Sequence, residues 1–208
     1  MSRRVHRVPV HLDAKGVGRL PPDDLRAILR GADPLVNRGG RTLLCAVLRG
    51  SRRKEVLEHG LDRIPVHGWF RALSDDEVMK RIDRAIVDGY LDIQYDYRLP
   101  LLVFTPAGWE IERETYAHEL LDGFEARLRA GPPYAMEELK DRNRGLIVRL
   151  LELVEESEDA RYLPLLEEWA AVDYKKVRQR IARVIRRLSH LPPDEPREEP
   201  DPVLEVAR

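Results

Sequence analysis

Apolar positions recur at helical spacing in several separate blocks of this 208-residue chain. Pro21-Pro22-Asp23-Asp24 opens the first block, with Leu25, Ile28 and Leu29 on one face. Residues 41–49, nearly all apolar on one side, predict a second helix that ends at Gly50. Ser51 is placed to cap a short third helix through Leu57, terminated at Gly60. Ser74-Asp75-Asp76-Glu77 has the form of a capping box, and Val78, Ile82, Ala85 and Ile86 follow it as far as Gly89. The period then changes from helical to alternating. Leu91, Ile93 and Tyr95 alternate with Asp92, Gln94 and Asp96, and Leu101-Leu102-Val103-Phe104-Thr105 is β-rich. These two runs predict a hairpin turned at residues 98–100. Pro106-Ala107-Gly108 ends the hairpin, and Trp109 and Ile111 begin another helix.

From residue 115 onward the pattern is helical throughout, with helices expected over 115–130, 136–156, 160–171 and 173–189. Gly131-Pro132-Pro133 is the strongest break in the chain and reads as a domain boundary. Residues 1–20 contain Pro9, Gly16 and Gly18. They predict an extended arm with at most one short edge strand, in Val8-Pro9-Val10-His11-Leu12. The expected organisation is a basic arm and helix (1–38), a compact domain (39–114), a helical module (115–191) and a disordered acidic tail (192–208). Three helices followed by a hairpin is the order of a winged helix. The fold class is therefore mainly α, a winged helix followed by a helical module.

Charge changes this picture once it is divided along the chain. The total is 36 Lys and Arg against 37 Asp and Glu, a net of -1, which by itself points away from a basic nucleic-acid binder. Yet residues 1–54 hold 13 basic against 4 acidic side chains, and residues 172–191 hold 7 against 1. Acidic excesses over 55–115, 116–171 and the tail mask these two blocks. Such blocks make a local positive face, or else they are solvated residues spread around the surface.

The single cysteine, Cys45, excludes an internal disulfide framework and lies in an apolar run, where it reads as a core residue. No apolar stretch is long enough to span a membrane. No apolar segment follows the basic start, so a cytoplasmic protein is expected. None of the six histidines is spaced with another as a metal pair, and no phosphate loop or nucleophile elbow is present. A non-enzymatic protein without cofactor is the expectation.

Certain residues carry a family resemblance. They are Leu48-Arg49-Gly50-Ser51 at the end of an apolar helix that follows Gly39-Gly40-Arg41, the capped helix ending Ile86-Val87-Asp88-Gly89-Tyr90-Leu91, and the strand exit Leu102-Val103-Phe104-Thr105-Pro106-Ala107-Gly108. Over about residues 40–112 the chain resembles the RecQ C-terminal (RQC) winged helix of RecQ-type DNA helicases. Without a motor, it is more similar to small stand-alone bacterial RQC-type DNA-binding proteins, whose Arg-Gly-Ala-Asp segment looks like Arg30-Gly31-Ala32-Asp33. Tyr162 to Leu166, followed by Asp173, Val177, Ile181, Val184 and Leu188, is similar to a single HEAT repeat.

The RQC resemblance implies DNA as the partner. It places a phosphate contact at Arg49 and Ser51, with Arg52, Arg53 and Lys54 beside them and Arg41 as a further contact. Alternatively, Ser51 only caps its helix. The resemblance also implies a wing at which Tyr95, Tyr97 and Arg98 meet a duplex end, an aromatic ring standing in for lost base stacking. Tyr95 shares the phase of Leu91 and Ile93 and also reads as core. A secondary basic face is formed by Lys175, Lys176, Arg178, Arg180, Arg183, Arg186 and Arg187. It either extends a nucleic-acid track or pairs with the acidic helix 152–168. The other functions that stay open are a protein-interaction adaptor, with a helicase or repair factor as partner, an RNA-binding module, and a winged-helix transcription regulator.

Overall fold

The computed structural model describes residues 7–190. The first six residues of the arm and the expected disordered tail, 192–208, lie outside the described residues. The chain is mainly helical and divides into two compact units, Met1–Tyr116 and Ala117–Arg208, each described by itself.

The first unit holds α1 (Pro22–Ala32), α2 (Arg41–Leu48), α3 (Lys54–Glu58), α4 (Asp75–Val87), β1 (Leu91–Asp96), β2 (Leu99–Phe104) and the start of α5 (Pro106–Ala130). Proline at the first position of α1, with Asp23 and Asp24 behind it, suits the uncapped N–H groups and the positive end of the helix dipole. The α4 capping box forms as predicted. Ser74 N donates to Glu77 Oε2 at 2.8 Å, and Glu77 N donates to Ser74 Oγ at 3.3 Å. The bonds from the Ser74 backbone and hydroxyl hold the Glu77 carboxyl below its ordinary range. The cap is therefore complete above the ordinary glutamate range and lost as pH falls through the lowered value. Ile28, Leu29, Leu44, Leu48, Val78, Ile82, Leu91 and Leu102 form the centre of one continuous core.

The hairpin pairs Leu91 with Phe104 through Asp96 with Leu99, so its turn is Tyr97-Arg98, one step earlier than the sequence predicts. Pro100 lies within β2, opposite Tyr95. The strand geometry tolerates it. Leu102, two residues on, turns its N–H to Gly39 O (2.9 Å) and its C=O to Asn37 N (3.1 Å), away from β1. Pro100 shares that orientation, so its missing N–H removes no β1–β2 bond. Among the described residues, the arm forms no strand. Pro9 interrupts any ladder, and the contacts near the wing tip are single ones, such as Val8 N to Arg98 O at 3.1 Å.

The exit from β2 shows why Thr-Pro-Ala-Gly stands there. Thr105 Oγ1 accepts from Gly108 N (3.1 Å) and so caps α5, while its hydroxyl donates to Gly89 O (2.6 Å). Pro106 occupies the first helical position. A β-carbon on Gly108 would stand 1.9 Å from Tyr90 O, so only glycine lets the helix start this close to the end of α4. The helix beginning near Trp109 and the one predicted over 115–130 are accordingly one element, α5. Gly131-Pro132-Pro133 ends α5 inside the second unit.

The second unit holds the rest of α5, then α6 (Arg144–Glu156), α7 (Leu163–Val172) and α8 (Lys175–Ser189), with α8 packed on both α6 and α7. The helix predicted over 136–156 is interrupted. Asn143 Oδ1 accepts from Gly145 N (2.8 Å) and Leu146 N (3.4 Å), starting α6 afresh after a single 3-10 turn at Glu137–Leu139. Phe124 meets Trp169 edge-on at 5.8 Å and Tyr162 at 6.3 Å. Tyr162 Oη donates to Glu125 Oε1 (2.6 Å), and burial followed by this bond pushes the phenol well above its ordinary range.

Two glycines of α5 separate steric need from helix propensity. Gly108→Ala is expected to destabilise the protein by about 3 kcal/mol because its new carbon meets backbone. Gly123→Ala, where only the Arg127 guanidinium stands at 3.2 Å, should be neutral or stabilising by up to about 1 kcal/mol. Thermal unfolding of the two variants checks this, and equal midpoints would refute the role given to Gly108.

Candidate nucleic-acid interface

The basic segment 49–54 is aimed by the carbonyl end of α2. Gly50, at φ 79°, reverses the chain. Gly50 N then bonds Val47 O (2.9 Å) and Ser51 N bonds Ala46 O (2.9 Å), the paired bonds of a left-handed helix stop. The following loop adds Gly68 N as a second donor to Val47 O (2.9 Å) and brings Phe70 N to Leu48 O (2.8 Å). Gly50 and Gly68, both at positive φ, lie against each other. A β-carbon on Gly50 would stand 3.1 Å from the Gly68 Cα.

This junction gives the neighbouring side chains different tasks. Arg49 turns inward. Its Nε donates to Asp75 Oδ1 (2.8 Å), and its Nη1 donates to the carbonyls of Arg71 (2.7 Å) and Phe70 (3.3 Å). Ser51 does not cap α3. The helix begins at Lys54 with Arg53 as its N-terminal flank, and Ser51 Oγ accepts from Arg53 N at 3.3 Å, while its carbonyl accepts from His67 Nε2 at 3.0 Å. Arg52, Arg53 and Lys54 are exposed. Arg53 meets Glu55 at 3.4 Å and Lys54 meets Glu58 at 3.6 Å, both loose surface pairs. Arg52 has no ion-pair partner among the described residues. Cys45 is buried as expected, and burial followed by the nearby Asp75 carboxylate pushes its thiol up.

Arg41 is committed elsewhere. It forms an ion pair with Asp83, a carboxylate only 2% exposed, and donates to His11 O at 3.2 Å. Asp13 N donates to the other Asp83 oxygen at 2.7 Å. Arg41 and Asp83 thus tie the arm to α2 and α4. On α4 itself, Lys80 pairs with Asp76 (2.7 Å), Arg84 pairs with Asp88 (2.6 Å), and Arg81 donates to Glu77 O (3.0 Å). Its cations are therefore met within the same helix.

At the wing, the structure separates the two tyrosines. Tyr95 belongs to the arm: its hydroxyl donates to Val8 O (2.8 Å) and the Arg7 guanidinium stands 4.9 Å from its ring centre. Tyr97 is 69% exposed at the tip, with φ at 50°, a left-handed conformation that costs any residue with a β-carbon. Arg98, 5.9 Å from the Tyr97 ring, and Leu99, 60% exposed, complete the tip. Sequence reasoning misses Arg7, Leu99 and Arg38. Arg38 is exposed in the segment that bonds β2, and its signal is the Arg-Gly-Gly run before α2.

The basic face of α8 divides in two. Arg180 pairs with Glu152 (2.7 Å), and Arg187 pairs with Glu155 (3.1 Å) and Glu158 (3.9 Å). Lys175, Lys176, Arg178, Arg183 and Arg186 are exposed. Among the described residues, no helix is long and apolar enough to cross a membrane, and no group of three or more His, Cys, Asp or Glu is arranged to hold a metal.

Helices packed on a capped α4, followed by a two-stranded wing and a glycine-tight exit into the next helix, define a winged-helix domain. Residues 23–120 match the family model of the RQC domain, and the chain carries an RQC domain, the winged helix of RecQ helicases that is associated with DNA binding. Searches of curated proteins and of solved structures give no match.

Arg49 and Arg52 lie close together in the chain and are expected to respond differently to truncation. Arg49→Ala leaves two carbonyls and Asp75 without their donor and should cost about 2 kcal/mol. Arg52→Ala should stay within about 0.5 kcal/mol. Urea denaturation monitored by tryptophan fluorescence measures both, and an Arg49→Ala protein as stable as the parent would contradict the inward role.

Proposed function

We propose that this protein is a non-enzymatic DNA-binding protein that recognises backbone and duplex structure, such as an end or fork, through its RQC domain. The observation that carries the reading is the division among the basic side chains. Arg41 and Arg49 hold the fold, whereas Arg52, Arg53, Lys54, Arg38 and Arg98 face solvent on the same unit. A phosphate backbone is the natural ligand for exposed cations at a helix corner and along a wing. The α4 helix carries at least as many acids as bases and meets its own cations. This argues against insertion into a major groove walled by phosphates, and so against sequence readout. Tyr97 supports contact with a duplex end. An exposed aromatic held in a costly backbone conformation suits stacking on a terminal base pair. The wing is short, with a two-residue turn, so end capping fits it better than prying strands apart.

Replacing Arg52, Arg53 and Lys54 together by Ala should weaken binding to a blunt or forked duplex. It should also lower the slope of log K against log salt by about 0.9 for each phosphate that the variant no longer neutralises. Fluorescence anisotropy at several salt concentrations measures both, and an unchanged affinity and slope would remove this segment from the site. RNA of matched sequence in the same titration decides between the two nucleic acids.

Tyr97→Gly separates stacking from folding. It should leave stability equal or raise it by about 1 kcal/mol through relief at positive φ. It should weaken binding to a duplex end by about fivefold or more, with little change on a closed circle. Equal affinity for ends before and after the change would exclude the wing tip.

A further inference from the structure

The second unit has a concavity that the RQC domain does not explain. A cleft of about 560 Å³ is lined by Lys140, Arg142, Arg144, Lys175 and Lys176, with Tyr174 among them. Lys140, Arg144, Lys175 and Lys176 are exposed and enter no ion pair among the described residues. The acids at the cleft are already engaged. Asp173 is 6% exposed and accepts from Trp169 Nε1 (2.7 Å) and Tyr174 N (2.6 Å), and Asp141 accepts from Tyr174 Oη (3.3 Å). Tyr174 itself is 56% exposed, with the Lys140 ammonium 4.9 Å from its ring centre.

The placement of these cations runs against helix electrostatics. Arg144 is the first residue of α6, and Lys175 and Lys176 are the first two of α8. Neither helix has an acid in its first turn. The first turn of α4, by contrast, carries Asp75, Asp76 and Glu77, as the dipole favours. Three cations at two positive helix ends, beside two further cations, repel one another and cost stability in the free protein. A bound polyanion reverses the sign of that cost. Local rules broken together in one cleft mark a site used for binding.

We infer that this cleft binds single-stranded nucleic acid, with phosphates on Arg144, Lys175, Lys176 and Lys140 and a base stacked on the exposed part of Tyr174. The aromatic ring is what favours a nucleic acid over an acidic peptide, which would need the cations but not a stacking surface. No residue of the proposed RQC interface takes part, so the two sites can fail separately.

The test uses the full chain and a labelled oligo-dT of about 12 nucleotides, with oligo-rU of the same length as a second arm. Five proteins are compared: the parent; Arg144→Ser with Lys175→Ser and Lys176→Ser; Tyr174→Ala; Tyr174→Phe; and Arg52→Ala with Arg53→Ala and Lys54→Ala. Circular dichroism confirms the fold of each. The triple variant should lose at least about tenfold in affinity, with a salt slope smaller by about 0.7 for each phosphate released. Tyr174→Ala should lose about fivefold or more, while Tyr174→Phe keeps binding because the ring and not the hydroxyl is used. An iodouracil-substituted oligonucleotide should crosslink to Tyr174. Stronger binding of one oligonucleotide assigns the site to DNA or RNA. The inference is overturned if the triple variant binds as the parent does, or if only Arg52→Ala, Arg53→Ala, Lys54→Ala abolishes binding. Displacement of the oligonucleotide by poly-glutamate of equal charge would also overturn it.

Discussion

The RQC domain of this protein depends on how the carbonyl end of α2 is satisfied. A helix leaves its last carbonyls without partners, and when that end is buried other donors of the protein must meet them, which here are backbone N–H groups. Here Ser51 N and Gly50 N bond the carbonyls of Ala46 and Val47, and Gly68 N and Phe70 N come in from the loop to Val47 and Leu48. The geometry works only because Gly50 and Gly68 have no side chains where the two segments touch. One consequence is packing: the loop lies down with Phe70 and Val66 in the core. The other is direction. After the reversal at Gly50, Arg49 faces the loop and Arg52 to Lys54 face water. The Arg-Gly-Ser run is thus first a folding device and only then a source of binding residues.

The buried Asp83 has a comparable part on the other side of the domain. A carboxylate taken out of water needs charge and hydrogen bonds in return, and Arg41 and Asp13 N supply them. Since Asp13 belongs to the arm and Arg41 also reaches His11 O, the cost of burying one acid becomes the reason the arm has a fixed course. The arm then covers Tyr95 and reaches Arg98 O, leaving Tyr97 as the tyrosine exposed at the tip.

What is legible in the sequence follows from which forces are local. The α4 capping box, the change of period at Leu91 and the Gly50 stop depend on neighbours in the chain, and each appears where the residues put it. The hairpin turn lies at Tyr97-Arg98, although proline is by itself a turn residue. The outward-facing N–H position that makes Pro100 acceptable in a strand is set by pairing with residues 37–39, which no local pattern reveals. Asn143 is hidden as a helix start because the apolar period continues across it. For the candidate site, residue type is legible and commitment is not. Arg41, Arg49 and Arg52 look alike in sequence, and only long-range partners, Asp83 and the 70–71 carbonyls, show which of them are occupied.

The same distinction explains why a chain of net charge -1 can present basic surfaces. Charge summed over sequence counts a cation equally whether it is paired or free, but the field outside the protein comes from those left over after local pairing. The acids of α4 and α6 are used close to home. Asp76 and Asp88 meet cations of α4, and Glu152 and Glu155 meet Arg180 and Arg187 of α8. Pairing of this kind neutralises the middle of the helices and leaves their ends and the loops uncompensated. Arg52 on the loop into α3, Arg98 at the turn, and Arg144 and Lys175 at helix starts are the result. At the start of α8, which has no side-chain cap, the first backbone N–H groups also lack helical partners. Charge and hydrogen-bond donors are therefore offered together there, which is what a phosphate requires, whereas at α6 Asn143 Oδ1 already takes the N–H groups of Gly145 and Leu146.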